Sequence, residues 1–361
     1  MSDLKYWLAL IMTPDIGPIR AKKLISIFKT PKKIFNADFK DLSAIDGITQ
    51  KAAKKITSFS EWDIVEKYID IISEKNIKTI CLNDSDYPVL LKETSDAPVV
   101  LFIRGDIMPN DRFSLAIVGS RKMTSYGALV AERFSEELSS AGMTIVSGMA
   151  RGIDSVAHRG AIKANGRTIA VLGSGVDVVY PPENKNLFEK IIEHGCIMSE
   201  FLPGTGPDKE NFPKRNRIIS GLSLGVLVVE AVSDSGALIT AKFANDYGRE
   251  VFAIPGAITS KNSKGTNNLI KEGALLVQQP DDILEELAPV LKGFIKTEHK
   301  VKIELSNDEK ILCNLLSGEP RQIDDIARQS AFPASKVLAI LLGLELKGIV
   351  KQITGKRFYL A

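Results

Sequence analysis

Twice in close succession the chain passes from a short apolar run, through a turn holding glycine and arginine, into a stretch with helical periodicity. The first unit is Leu115 to Val118, then Gly119-Ser120-Arg121, then Tyr126 to Ala141 with Leu129, Val130, Phe134 and Leu138 at helical spacing. The second is Met143 to Ser147, ending in Gly148-Met149-Ala150-Arg151-Gly152-Ile153-Asp154. Strand–turn–helix units in series build a mostly parallel sheet covered on both faces, so the chain is expected to be an α/β protein. The turns then lie side by side at the carboxyl ends of the strands, where open α/β sheets bind ligands. Helix N-termini there offer unpaired N–H groups and the positive end of the dipole. An arginine in the turn adds a bidentate donor for phosphate. Taken singly, each is equally readable as an ordinary βα turn with a solvated arginine; two in succession favour a site built to hold phosphates.

The alternation continues to about residue 279, with strands expected at 168–172, 196–199, 225–230, 250–254 and 275–277. Residues 76–113 contribute two more, Ile77–Leu82 and Pro98–Gly105, which extend the sheet. The turn Leu172-Gly173-Ser174-Gly175-Val176-Asp177 lacks the third glycine of a dinucleotide fingerprint, and no Walker A motif occurs, so no cofactor is expected. Residues 211–223 hold the densest basic patch of this region: Lys214, Arg215 and Arg217 with Asn216 among them, and Phe212 just ahead on a loop. With Pro213 opening the helix, these cations sit at its electrostatically unfavourable end, which argues for a bound anion. Cations beside an exposed aromatic suit single-stranded nucleic acid, and a solvated basic helix face is the alternative. Ser235-Gly236-Ala237 is a third small-residue turn opening a helix, with Lys242 one turn along. Ile254 to Asn267, carrying Lys261 and Lys264, reads as a polar loop over a groove.

The ends read as separate modules. Residues 1–75 look all-helical, with Asp15-Ile16-Gly17-Pro18-Ile19 and Ile45-Asp46-Gly47-Ile48-Thr49 as tandem helix hairpins. A glycine hairpin can hold a DNA phosphate on backbone N–H groups. Each of these has one glycine where DNA-binding versions usually have two, so a plain helical bundle is favoured over DNA contact. The core is expected over 76–285 and a linker over 286–305, helical near Asp282–Leu287. Residues 306–361 open on the capping box Ser306-Asn307-Asp308-Glu309 and read as three helices and a hairpin, a winged helix. Its third helix, Pro333 to Lys347, is aliphatic with Lys336 and Lys347 its only cations, so a packing or protein-contact module is favoured over a duplex reader. A net charge of only +3 leaves nucleic-acid binding to local clusters. Cys81, Cys196 and Cys313 are far apart and read as packed thiols of a reducing cytoplasm. His158, His194 and His299 are too scattered for zinc. Neither a signal peptide nor an apolar run long enough to span a membrane is read.

Val118-Gly119-Ser120-Arg121, Ser147 to Asp154, Phe212 to Arg217 and Ser235-Gly236-Ala237-Leu238 together resemble the DNA-processing protein A family (DprA, also called Smf). The resemblance spans nearly the whole chain and is most specific in the core. It implies a helical N-terminal domain, an extended Rossmann-like core and a winged-helix end. It also implies a recombination mediator, not an enzyme, that binds and shields incoming single-stranded DNA during natural transformation, loads the RecA recombinase and forms homodimers through the core. Arg121 matches the family's phosphate-binding arginine. The Ser147–Gly152 turn and the Phe212–Arg217 segment match the walls of its strand-binding pocket. The chain departs at Lys214, where arginine is common, and a lysine keeps the charge but loses the fork. The single-strand site is therefore expected to comprise Gly119, Ser120, Arg121, Ser147, Gly148, Arg151, Gly152, Phe212, Lys214, Arg215, Asn216, Arg217, Ser235, Gly236 and Lys242. A phosphoribosyl hydrolase of the lysine-decarboxylase-like family is the alternative, with Glu230 as its acid or base. It lacks the glycine set such enzymes carry at residues 235–240.

Overall fold

The computed structural model describes residues 3–292, 306–317, 320–330, 332–346, 350–353 and 355–360. The expected features at 293–305, His299, Lys347 and Thr354 lie outside them. Contacts divide the chain into two units, Met1–Ile295 and Lys296–Ala361.

The first unit opens with six helices: α1 (Leu4–Met12), α2 (Pro18–Phe28), α3 (Pro31–Phe35), α4 (Phe39–Ser43), α5 (Gln50–Thr57) and α6 (Trp62–Glu74). Local chemistry starts them. Pro18 and Pro31 stand in first turns, and Thr30 and Thr49 accept hydrogen bonds from Lys33 and Ala52 N–H as N-caps. The two hairpins are tied to each other, since Arg20 donates to the carbonyls of Gly47 (2.9 Å) and Asp15 (2.7 Å). Their lysines are paired internally, Lys23 with Asp46 and both Lys51 and Lys55 with Asp15.

Nine strands follow: β1 (Lys78–Cys81), β2 (Val100–Gly105), β3 (Ser114–Val118), β4 (Thr144–Ser147), β5 (Thr168–Val171), β6 (Gly195–Ser199), β7 (Gly225–Val228), β8 (Glu250–Ala253) and β9 (Leu275–Leu276). They form one sheet in the order β1-β2-β6-β5-β4-β3-β7-β8-β9. Only the pairs β1–β2 and β2–β6 are antiparallel, so β1 to β2 extend a parallel sheet at one edge. Helices α7 (Val89–Glu93), α8 (Ser125–Ser140), α9 (Ile153–Lys163), α10 (Lys185–His194), α11 (Asn211–Leu222), α12 (Gly236–Asp246), α13 (Lys264–Lys271) and α14 (Pro280–Leu291) cover it. The central strands are buried along their length, which requires the unbroken apolar runs seen in the sequence.

Three expectations need correction. Phe212 is not on a loop, because α11 starts at Asn211 and places the ring in its first turn. The loop after Ile254 ends early, since Lys264–Lys271 is helical. Residues 286–291 are no linker: they continue α14, which buries Ile283, Leu287 and Leu291 in the cluster that holds Phe134 and Phe252.

In the second unit, α15 (Asn307–Leu315), α16 (Ile323–Ser330) and α17 (Ala334–Leu346) accompany a three-stranded sheet of β10 (Arg321–Gln322), β11 (Val350–Ile353) and β12 (Arg357–Leu360), in the order β10-β12-β11. This is the expected winged helix with one extra short strand. The aliphatic face of α17 is spent on the core, where Val337, Leu341 and Leu344 meet Leu312, Ile326 and Phe358.

One buried group sets a pH dependence. His158 on α9 is fully buried, and its Nδ1 lies 2.6 Å from the Thr168 hydroxyl. That hydroxyl donates to the Ile145 carbonyl, so Nδ1 is the donor to it. Burial, with Arg215 and Arg159 nearby, pulls the imidazole down to about 3. The unfolded chain takes up this proton near the ordinary value of about 6.5, so stability is present above that pH and lost below it, by at most ~1.4 kcal/mol per pH unit. Lowering the pH from about 7 to about 5 is expected to cost ~2 kcal/mol more in wild type than in His158→Gln. Urea unfolding of both proteins checks it, and equal losses would refute it. Asp154, raised by burial, acts in the opposite sense and is common to both proteins.

Candidate nucleic-acid interface

A groove of about 750 Å³ runs across the carboxyl ends of the central strands. One wall is the turn after β3, Gly119 to Lys122, and the other is the turn opening α12, Ser235 to Ala237. Phe212, Arg215 and Asn216 of α11 lie between them, with Tyr180, Lys209 and Asn262 contributed by loops. Arg121 is exposed, and its guanidinium stands over the Phe212 ring at 5.2 Å from the centroid. Tyr180 lies beside that ring at 5.8 Å. The cation and two aromatic faces thus form one platform at the mouth of the turn.

The three helix N-termini at this edge are not equivalent. That of α8 is filled from within: the Glu230 carboxylate accepts from the Thr124 N–H (2.9 Å) and hydroxyl (2.5 Å), and Thr124 in turn caps Gly127 N–H. Glu230 is therefore a structural anion at a helix start, which is the ordinary role for a carboxylate there. That of α9 is filled too. The buried Asp154 carboxyl faces the backbone of Ala150 and Gly148, so the protein's own acidic group occupies this turn. Of the three, α12 alone has no carboxylate of the protein at its start: the Ser235 hydroxyl caps Ala237 N–H (3.3 Å), and this end opens into the groove.

The basic patch divides in the same way. Arg215 is buried and donates from Nη1 to the carbonyls of Gly148 and Val171, both at 2.6 Å. Burial pulls it down to about 10, against the attraction of Asp154, so it is still charged at neutral pH. Arg217 is buried on the far side of α11. It pairs there with Glu200 and donates to the Asp96 carbonyl at 2.6 Å, while Asp96 also accepts from Tyr247 (2.6 Å). Both guanidinium groups are thus hydrogen-bonded within the protein, Arg215 in the groove lining and Arg217 outside it. Lys214 and Lys242 are exposed but stand outside the groove lining. Ser147 is likewise internal, its hydroxyl bracing β3 through the Ile117 carbonyl (2.6 Å). Gly148 leaves room for the Arg215 guanidinium, which a Cβ would overlap. Gly152 has φ +79°, a conformation that favours glycine, and packs against Ser120. Arg151 is exposed and forked onto Glu183. Asn216 bridges Arg215 and the Gly236 carbonyl (3.1 Å), which joins α11 to α12.

The site thus joins residues 119–121, 212 and 235–237 from the sequence reading, and adds Lys122, Tyr180, Lys209 and Asn262. Lys122 could have been found from its place next to Arg121. Tyr180, Lys209 and Asn262 carry no local signal, because long loops bring them in. Among the described residues no cluster of side chains suits a metal ion, and no helix is long and apolar enough to cross a membrane.

A parallel sheet with glycine turns at its carboxyl edge, a cationic-aromatic platform and two small helical modules defines an α/β nucleic-acid-handling protein. The chain belongs to the DNA recombination-mediator protein A family, whose sequence model matches residues 78–288. The DprA winged helix domain matches 297–356, and the SAM-like helix-hairpin-helix tandem matches 8–60. Protein Smf of Escherichia coli is 37% identical over 98% of this chain and 95% of its own length. Protein Smf of Synechocystis is 34% identical over 99% and 98%. The crystal structure of DNA processing protein A from Streptococcus pneumoniae superposes with a TM-score of 0.68 at 35% identity, covering 78% of this chain and 97% of that one. DNA processing protein A from Helicobacter pylori, whose structure is described for its single-stranded DNA binding mode, aligns with a TM-score of 0.54 at 29% identity, over 59% and 96%.

Proposed function

We propose that this recombination mediator binds single-stranded DNA in the groove between Gly119 and Gly236. The observation that carries the reading is the exposed Arg121 guanidinium over the Phe212 ring, at the mouth of the groove. A base can stack on such a platform while the cation meets the neighbouring phosphate. Lys122 and Lys209 line the same groove, Lys214, Lys242 and Arg151 add charge on the surrounding surface, and the α12 N-terminus offers N–H donors to a phosphate. Gly148, Gly152, Ser147, Arg215, Asn216 and Arg217 serve the site by shaping it. The likeness to a protein described for its single-strand binding supports the choice of ligand. In the cell the bound strand is incoming DNA in natural transformation. The protein works there in the cytoplasm as a homodimer, without catalysis, shielding the strand and handing it to RecA.

Backbone contacts read no sequence, so affinity is expected to vary little with base composition and to fall as salt rises. Fluorescence anisotropy with a labelled oligothymidine strand and a duplex of the same length, each at two salt concentrations, tests the reading. Tighter binding to the single strand with a negative salt slope is expected. A preference for duplex would reject it.

A further inference from the structure

Between the helical module and the connector lies a second cationic cavity, open to solvent and of about 270 Å³, lined by Lys22, Lys29 and Lys92 together with Ile25, Leu82 and Asn83. Lys22 reaches out of α2 and donates to the carbonyls of Lys92 (2.7 Å) and Thr94 (2.6 Å). Two of its three donors are used, and its charge is held beside that of Lys92. Burial lowers Lys22 from its ordinary value, an effect Lys92 adds to and Asp96 opposes. The nearby carboxylates are turned elsewhere: Glu93 onto Arg249 (3.1 Å) and Asp84 onto the Cys81 N–H (2.8 Å). Asn83 is fastened to the Lys29 carbonyl (2.8 Å), which ties the loop after β1 to the end of α2. Lys29 donates to the Ser26 carbonyl (2.6 Å), and among the described residues none of the three ammonium groups is ion-paired with a carboxylate, which leaves a charge here that an anion would neutralise.

The sheet register says where this cavity lies. β1 runs antiparallel to β2, which runs antiparallel to β6, so β1 is parallel to the core strands. Leu82 and Asn83, just past Cys81, therefore stand on the same carboxyl edge as Gly119 and Gly148. Five strand steps separate β1 from β3, whose turn walls the groove, in the sheet order, or roughly 24 Å at ~4.8 Å per step. That is about seven nucleotides of a stacked strand and fewer of an extended one.

We infer that the Lys22–Lys29–Lys92 cavity is a second phosphate site, which takes a backbone phosphate of the same DNA strand after it leaves the groove. The inference rests on the groove reading above. Its role is to lengthen the footprint and to set the path of the strand toward the helical module.

The test uses the full-length protein and the double variant Lys29→Gln/Lys92→Gln, leaving Lys22 to hold α2 on the connector. Binding is measured against salt with oligothymidines of about five and about fifteen nucleotides, which bracket the usual site sizes. Equal affinity for the short strand is expected, with about a tenfold loss on the long strand and a salt slope shallower by ~0.7, as one lost phosphate contact requires. Equal behaviour on the long strand, or equal loss on both lengths, overturns the site. Inorganic phosphate is titrated in parallel. Saturable binding that the double variant loses while long-strand affinity is unchanged would assign the cavity to a free anion and overturn the strand path. Failure of the groove reading is separately visible, because wild type would then not bind the short strand, and the inference falls with it.

Discussion

Replacing Arg121 by glutamate is expected to lower affinity for an oligothymidine strand by about 100-fold, or ~3 kcal/mol, while the unfolding midpoint stays at the wild-type value. The side chain is exposed and makes no ion pair among the described residues, so the fold loses little beyond the contact with Phe212. Binding loses a charge-assisted phosphate contact and gains a repulsive carboxylate beside the strand. The salt slope should fall by about 0.7, the increment for one phosphate on a single strand. Phe212→Ala removes the stacking face without changing the charge, so it should weaken binding and leave the slope alone. Anisotropy titrations of the three proteins check both statements. If Arg121→Glu binds as wild type does, the groove is not where the strand lies.

Arg215→Ala is expected to behave in the opposite way: it should fail to fold or lose about 3–5 kcal/mol of stability. The guanidinium sits between the Gly148 and Val171 carbonyls and faces the buried Asp154. Its removal leaves both carbonyls and a buried carboxyl without their partner, and opens a void where Gly148 has left room. A lysine cannot restore this, because one ammonium lacks the fork that serves several acceptors at once. Its exposed neighbour Lys214 should instead be replaceable by alanine within about 0.5 kcal/mol. Urea unfolding of the pair decides the matter. A stable Arg215→Ala protein that has lost only DNA affinity would mean that the guanidinium faces the ligand.

These two arginines mark how far the sequence carries. Both stand in conspicuous motifs, and each looks like a phosphate ligand in one dimension. The strands and most helices were legible because their signals are local. Apolar runs bounded by glycine announce buried strands, and Ser306 with Glu309 or Thr49 with Ala52 announces a helix start within one turn of chain. The location of the groove follows from those elements, since turns after parallel strands share one edge of the sheet. The expected core ends too early, at residue 285, because Glu285 and Glu286 look charged, and only packing shows that Leu287 and Leu291 face inward.

The sequence by itself thus determined the α/β core, its two flanking modules and the edge that carries the groove, because each depends on residues a few positions apart. Tertiary structure alone decided which charges remain available there. Glu230 reaches the start of α8 across 106 positions of chain, and Arg215 finds its acceptors across 67 and 44. Whether a cation faces solvent or a buried carbonyl is a property of such distant pairings. Desolvation makes the difference large, since a buried charge needs a partner inside the protein and an exposed one is free to meet a phosphate.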